Sequence, residues 1–161
     1  MLFFKLLGGT SIFLSASMFY FEARKFEKAK LRQTDAFVSL LRYIKKQIEC
    51  FSAPISTIIA QCDPKLLEEC GINVKGKKEV FLSHLVQECV FYIDPEAIDV
   101  IKKFAHEFGK SYRDDQLKSC DYYISELTKY REKIVGELPK ARKMRFVICF
   151  CISASIILLF L

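Results

Sequence analysis

Residues 146–161 read FVICFCISASIILLFL, sixteen residues without a charge, entered through Lys140, Arg142, Lys143 and Arg145. As an α-helix the stretch is about 24 Å long, short of a hydrocarbon core of about 30 Å, so Met144 and the snorkelling stem of Arg145 must complete the span. It reads as a membrane anchor. The competing reading, a core helix, needs cover on every side of a segment that is apolar all round.

The other end of the chain mirrors it. Residues 2–21 carry a single charge, Lys5, and are followed by Arg24, Lys25, Lys28, Lys30 and Arg32. Both sets of basic residues flank the middle of the chain, and positive flanks stay in the cytoplasm. The expected organisation is an anchor at 1–21, a cytoplasmic helical domain at 22–145 and a second anchor at 146–161. Ser15-Ala16-Ser17 has the small residues of a signal-peptide cleavage site, but a signal peptide gathers its positive charge before the apolar core and this chain gathers it after.

The chain carries a formal net charge of +6. Since Lys5 is the only charged side chain outside 22–145, that region holds 24 basic and 19 acidic groups, a balance of +5. Such a balance fits nucleic acid or an anionic inner leaflet, and clustering at the two membrane junctions favours the lipid. Of seven cysteines, Cys50, Cys62, Cys70, Cys89 and Cys120 fall in the cytoplasmic region and Cys149 and Cys151 in the last segment. A reducing compartment makes free thiols the default, and Cys62, Cys89 and Cys120 occupy apolar positions of helical patterns. No pair has the CxxC spacing of a zinc ribbon.

The middle reads as about five helices, an all-α bundle between two transmembrane helices. Phe37, Leu40, Leu41, Ile44, Ile48 and Phe51 recur at three- and four-residue steps. Pro54 restarts the chain in a first helical turn, Asp63-Pro64 starts a short helix, and Gly71 ends it. Beyond the loop at 71–78, Phe81, Leu85, Val86, Cys89, Val90 and Ile93 space as a helix closed at Asp94-Pro95. Pro95 opens another through Ile98, Ile101, Phe104 and Phe108, terminated at Gly109. The last spaces Leu117, Cys120, Ile124, Leu127, Arg131, Ile134 and Leu138 as a coiled-coil-like seam, and Pro139 should kink or break it.

Several stretches resemble chemistry. Gly109-Lys110-Ser111 looks like the end of a phosphate loop, but Phe104 stands where that loop needs glycine. His84 and His106 lie outside any metal-binding spacing. Asp114-Asp115 suits a helix N-terminus, where carboxylates meet the positive end of the dipole, better than a metal site. No catalytic residue, cofactor or small-molecule substrate is expected from the residues.

In its length and its order of anchor, helical domain and anchor, the chain resembles the stage III sporulation protein AB family. The matching positions are Lys5-Leu6-Leu7-Gly8, Ala53-Pro54-Ile55, Lys143-Met144 and, most specific, FGKSYRDDQ at 108–116, which resembles the family's Leu-Gly-x-Ser-Asp-x-x-Asp-Gln. Tyr112 departs from the family's Asp, Gln47 from its usual acid, no glycine precedes Lys143, and the last segment lacks the family's glycines. Helix capping then passes to Ser111 or Asp114.

The resemblance implies a domain similar to the cytoplasmic helical domains of type II secretion F proteins. It also implies a scaffold role in a channel apparatus between mother cell and forespore, on the mother-cell side. The implied partners are other stage III sporulation proteins, above all the secretion-type ATPase, stage III sporulation protein AA. Arg113, Asp114, Asp115 and Gln116 are the candidate contact residues. The competing functions are a basic module for anionic lipid or nucleic acid and a membrane enzyme using Asp114 or Asp115.

The charge pattern predicts that membrane-impermeant thiol reagents applied to intact cells leave a cysteine engineered at Asn73 unmodified. Strong labelling there would reverse the topology.

Overall fold

The computed structural model describes residues 2–50, 55–73 and 81–160, with the side chains of all of these except 2–13, 16, 55, 56 and 156–160. Among the described residues the structure is all-α: α1 (Leu2–Cys50), α2 (Ile55–Ala60), α3 (Pro64–Cys70), α4 (Leu82–Gln87), α5 (Pro95–Glu107) and α6 (Arg113–Phe160). The chain divides into two compact units, Ala29–Lys133 and a terminal unit of Met1–Lys28 with Ile134–Leu161. The division falls inside the 21/22 and 145/146 boundaries expected from the charge pattern. Pro54 and residues 74–78 of the expected loop lie outside the described residues.

In the 29–133 unit the expected stripe of α1 is the spine of the core. Phe37, Leu40, Leu41, Ile44 and Ile48 are buried, each burial stabilising by about 1.5–3 kcal/mol. Ile58, Ile59, Leu67, Leu85, Val86, Ile101 and Phe104 complete the core. Asp63 caps α3 by accepting from Lys65 N at 2.9 Å, and Gly71 ends it in the left-handed conformation at φ 83°. Cys62, Cys70 and Cys120 are buried free thiols, whereas Cys89 is half-buried and donates to Cys70 O at 3.0 Å.

Three expectations need correction. The helix expected from Phe81 to Ile93 ends at Gln87, and residues 89–92 are non-helical. The cause is a buried amide on α1. Gln33, 2 % exposed, donates through Nε2 to Cys70 O (3.0 Å) and Val90 O (2.8 Å) and accepts through Oε1 from Tyr92 N (2.7 Å). These bonds take the backbone groups that a helix would have used. The segment alternates: Val90 and Tyr92 are exposed, Ile93 is buried, and Phe91 stacks on Phe37 with centroids 6.0 Å apart. Gly71 lies so close that a Cβ would sit 3.0 Å from Val90 O and 3.2 Å from Gln33 Nε2, so the turn needs glycine both for its φ and for its lack of a side chain.

The second correction concerns α6. Its buried seam is Cys120, Tyr123, Leu127, Tyr130 and Ile134, with Tyr123 and Tyr130 in place of the expected Ile124 and Arg131, which are half-buried. Each tyrosine buries its ring and finds a partner for its hydroxyl. Tyr123 donates to Glu107 (2.8 Å), and Tyr130 accepts from Asp94 N at the start of α5 (3.0 Å). Arg131 pairs with Asp35 instead, and Lys30 reaches the Asp94 carboxylate at 2.6 Å. Burial opposes ionisation of Asp94, but the Lys30 and Tyr130 hydrogen bonds outweigh it and hold its pKa below the ordinary value.

Third, of the kink or break expected at Pro139 the break is absent, since α6 continues through it. Residues 135–137 are exposed, so water is at hand for the carbonyl that proline leaves unpaired. Gly136, three residues earlier, has nothing within 4 Å of an added Cβ.

In the terminal unit α1 and α6 run antiparallel. Tyr20 meets Phe146 edge-on at 6.4 Å, while Glu27, further along α1, pairs with Arg145 and Arg142, which precede Phe146 on α6. Among the described residues no helix is long and apolar enough to cross a membrane. Much of both expected anchors, residues 1–13 and 156–161, lies outside the described side chains.

Replacing Gln33 by Leu would take away the amide's bonds to Val90 O and Tyr92 N and leave Cys70 O with only the weak Cys89 thiol donor, so Gln33→Leu should cost on the order of 3 kcal/mol. Denaturant unfolding of the full chain measures it, and a change below about 0.5 kcal/mol would remove the amide from its structural role.

Candidate functional site

The stretch singled out by the sequence, residues 108–116, runs from the end of α5 into the first turn of α6. The junction rests on an aromatic cluster. Phe108 stacks on Phe104 at 5.3 Å, and Tyr123 meets Phe104 edge-on at 5.5 Å. The Tyr123 phenol is pushed up to about 12, first by burial and then by its hydrogen bond to Glu107. Gly109 follows in the left-handed region at φ 88°, where a β-carbon is strained.

Of the four candidate contact residues, Arg113, though exposed, has a structural task. Its Nε donates to Ile48 O (3.1 Å) and its Nη2 to Glu49 O (2.7 Å). These are among the last carbonyls of α1, which lack intrahelical donors, and a cation there meets the negative end of the helix dipole. Gln116 donates to Ser111 O at 2.7 Å and so closes the turn before α6. Asp114 and Asp115 lie in the first turn of α6, both exposed, with Asp115 3.8 Å from Lys118. The structure therefore brings the four together but divides them: Arg113 and Gln116 hold the junction, and Asp114 and Asp115 face solvent.

Beside them stands a residue that the spacing did not single out. Tyr112 is 89 % exposed, an aromatic ring presented just before two carboxylates on a fixed junction. An exposed tyrosine with an acidic border has the make-up of an interface anchor. The signal was the replacement of the family's Asp by an aromatic residue.

His84 and His106 are both exposed, and His106 Nε2 lies 2.9 Å from Lys110 Nζ. Among the described residues no group of His, Cys, Asp and Glu side chains could hold a metal. A cavity of about 440 Å³ opens beside α2 and α3, lined by Ile59, Cys62, Leu67, Glu68 and Ile72 among others. Burial, and after it Asp63, pushes the Cys62 thiol up to about 11, so it stays protonated at neutral pH.

Charge separates the two units. Ala29–Lys133 holds 17 basic and 16 acidic residues, a net +1, whereas the terminal unit holds eight basic and three acidic, a net +5. The balance that the sequence suggested for the whole middle region belongs almost wholly to the residues bordering the apolar ends.

The family model for stage III sporulation protein AB matches residues 5–161 of the chain. No curated protein matches it. No solved structure matches it.

The positive φ of Gly109 predicts that Gly109→Val costs about 1–2 kcal/mol, while Lys110→Ala, on an exposed position, costs little. Thermal melts of the two variants give the order, and the reverse order would overturn the assignment of this junction.

Proposed function

The chain belongs to the stage III sporulation protein AB family, with a role in the third stage of sporulation, and from that premise we propose that it is a membrane-anchored scaffold. It is held in the mother-cell membrane with residues 22–145 in the cytoplasm, as a component of the channel apparatus between mother cell and forespore. The observation that carries the anchoring is the surface of the terminal unit. Met18, Phe19, Phe21, Phe146, Val147 and Phe150 are each at least half exposed, just before the basic residues of α1 and just after those of α6. Apolar surface of this extent on paired helices, bordered by positive charge, is suited to lipid. Residues 1–21 and 146–161 are the anchors of this reading.

The domain acts by recognition without turnover of its own. Its partner is the secretion-type ATPase of the same apparatus, stage III sporulation protein AA, by the family's implication. Two anchors hold a contact surface at one membrane and raise its effective concentration for a partner working there. The contact is centred on Tyr112, with Asp114 and Asp115 as its polar border. The likeness to type II secretion F domains belongs to the same proposal.

Anionic lipid is the second reading that an observation favours, through the +5 of the terminal unit. The near-neutral 29–133 unit gives nucleic acid little electrostatic footprint.

Full-length protein purified in mild detergent should co-elute with the ATPase. Tyr112→Ala and Asp115→Lys should each weaken the complex by about tenfold with unchanged thermal melts. No association at tens of micromolar, or saturable ATP binding by the chain alone in calorimetry, would sink this reading.

A further inference from the structure

In the terminal unit a carboxylate is buried among cations that outnumber it. Glu27 is 5 % exposed; Arg142 Nε lies 2.8 Å from its Oε2 and Arg145 Nη2 2.8 Å from its Oε1. The two guanidiniums remain about one-third exposed. One turn earlier on α1, Arg24 is held over the Tyr20 ring at 5.7 Å, and its Nε is buried with no hydrogen-bond partner among the described residues. A guanidinium N–H removed from water and left unpaired is costly, and Glu27, paired with both Arg142 and Arg145, leaves each of them donors to spare. An anion with several acceptor oxygens would answer both.

The surroundings specify what carries that anion. Along α1 the residues preceding Arg24 include exposed Phe19 and Phe21; along α6 the residues following Arg145 include exposed Phe146 and Phe150. Because Tyr20 meets Phe146 and Glu27 meets Arg142 and Arg145, the two helices change from charged to apolar at the same level. A free phosphate or a nucleic acid would leave the aromatic side chains in water. A molecule with an anionic head and apolar tails satisfies both halves.

We propose that Arg24, Arg142 and Arg145 bind the headgroup phosphate of an anionic phospholipid whose acyl chains lie along Phe19, Phe21, Phe146 and Phe150. Glu27 is the positioning residue: it holds Arg142 and Arg145 at fixed distance with donors left over for the phosphate. The site rests on the membrane reading of the chain ends.

The test uses full-length protein in mixed micelles of mild detergent with either phosphatidylglycerol or phosphatidylcholine, and native mass spectrometry to count retained lipid. Wild-type protein should retain phosphatidylglycerol about fivefold better than phosphatidylcholine, the selectivity expected of one added basic contact to an anionic headgroup. Arg24→Gln should lose that selectivity. Arg24→Lys, which keeps the charge, should retain most of it, as should Lys118→Gln in the other unit. Inorganic phosphate at tens of millimolar should leave the lipid bound.

Equal retention of the two lipids by wild-type protein overturns the site, and this arm needs no variant to fold. Undiminished selectivity in a folded Arg24→Gln overturns it too, and displacement by inorganic phosphate would make it a simple anion site. Carbonate extraction reads the anchoring separately. Protein that resists extraction yet shows no lipid selectivity removes the site and keeps the anchor, while protein released by carbonate removes both.

Discussion

One primary amide, that of Gln33, determines the path of the chain through the 29–133 unit. A glutamine side chain offers two N–H donors and a carbonyl oxygen, and here both donors and the oxygen are engaged by backbone groups from two separate segments. The oxygen and nitrogen cannot exchange places, since Cys70 and Val90 present carbonyls and Tyr92 presents an N–H. The end of α3, the extended run from Cys89 to Ile93 and the start of α5 are fixed to α1 in consequence. Gly71 is the complement, a residue without a side chain where the three segments approach. Such a network is worth most when complete, because each buried member that loses its partner becomes a liability.

The helical content was legible because burial on one face imposes its period on the sequence. Phe37 to Ile48 shows that period plainly, and Asp63-Pro64 with Gly71 gave both ends of α3. Legibility ended where polar side chains do structural work. Cys89, Val90 and Ile93 fit a helical spacing, yet Gln33 captures the backbone around them. Gln33 and Thr34 lie on the apolar face of α1, extending its stripe toward the N-terminus, and a polar pair there was the available signal. On α6 the choice between Ile124 and Tyr123 turned on whether a hydroxyl would find a partner, which depends on Glu107 from another helix. The candidate contact stretch was located by its sequence, but the different tasks of Arg113 and Asp115 follow from the end of α1, more than sixty residues away in sequence.

Net charge proved a matter of address. A surplus spread over the middle of the chain would describe a basic domain, whereas +1 in one unit and +5 in the other describes a neutral folded body and a basic border to apolar helices. The border also contains Glu27, a lone buried acid among Arg24, Lys25 and Lys28 that charge counting treats as a subtraction. Its role is geometric: a carboxylate that accepts a hydrogen bond from Arg142 and is ion-paired with Arg145, each at 2.8 Å, keeps the two guanidiniums together.

Gly136 and Pro139 lie within one turn of each other in α6, one without a side chain to stiffen the helix and the other without an amide hydrogen to continue the ladder. Helical order propagates because each residue fixed supplies a hydrogen bond, and at this turn that cooperativity is at its weakest. The two stretches of α6 are therefore coupled least at this turn, where a local opening on one side has the weakest hold on the other.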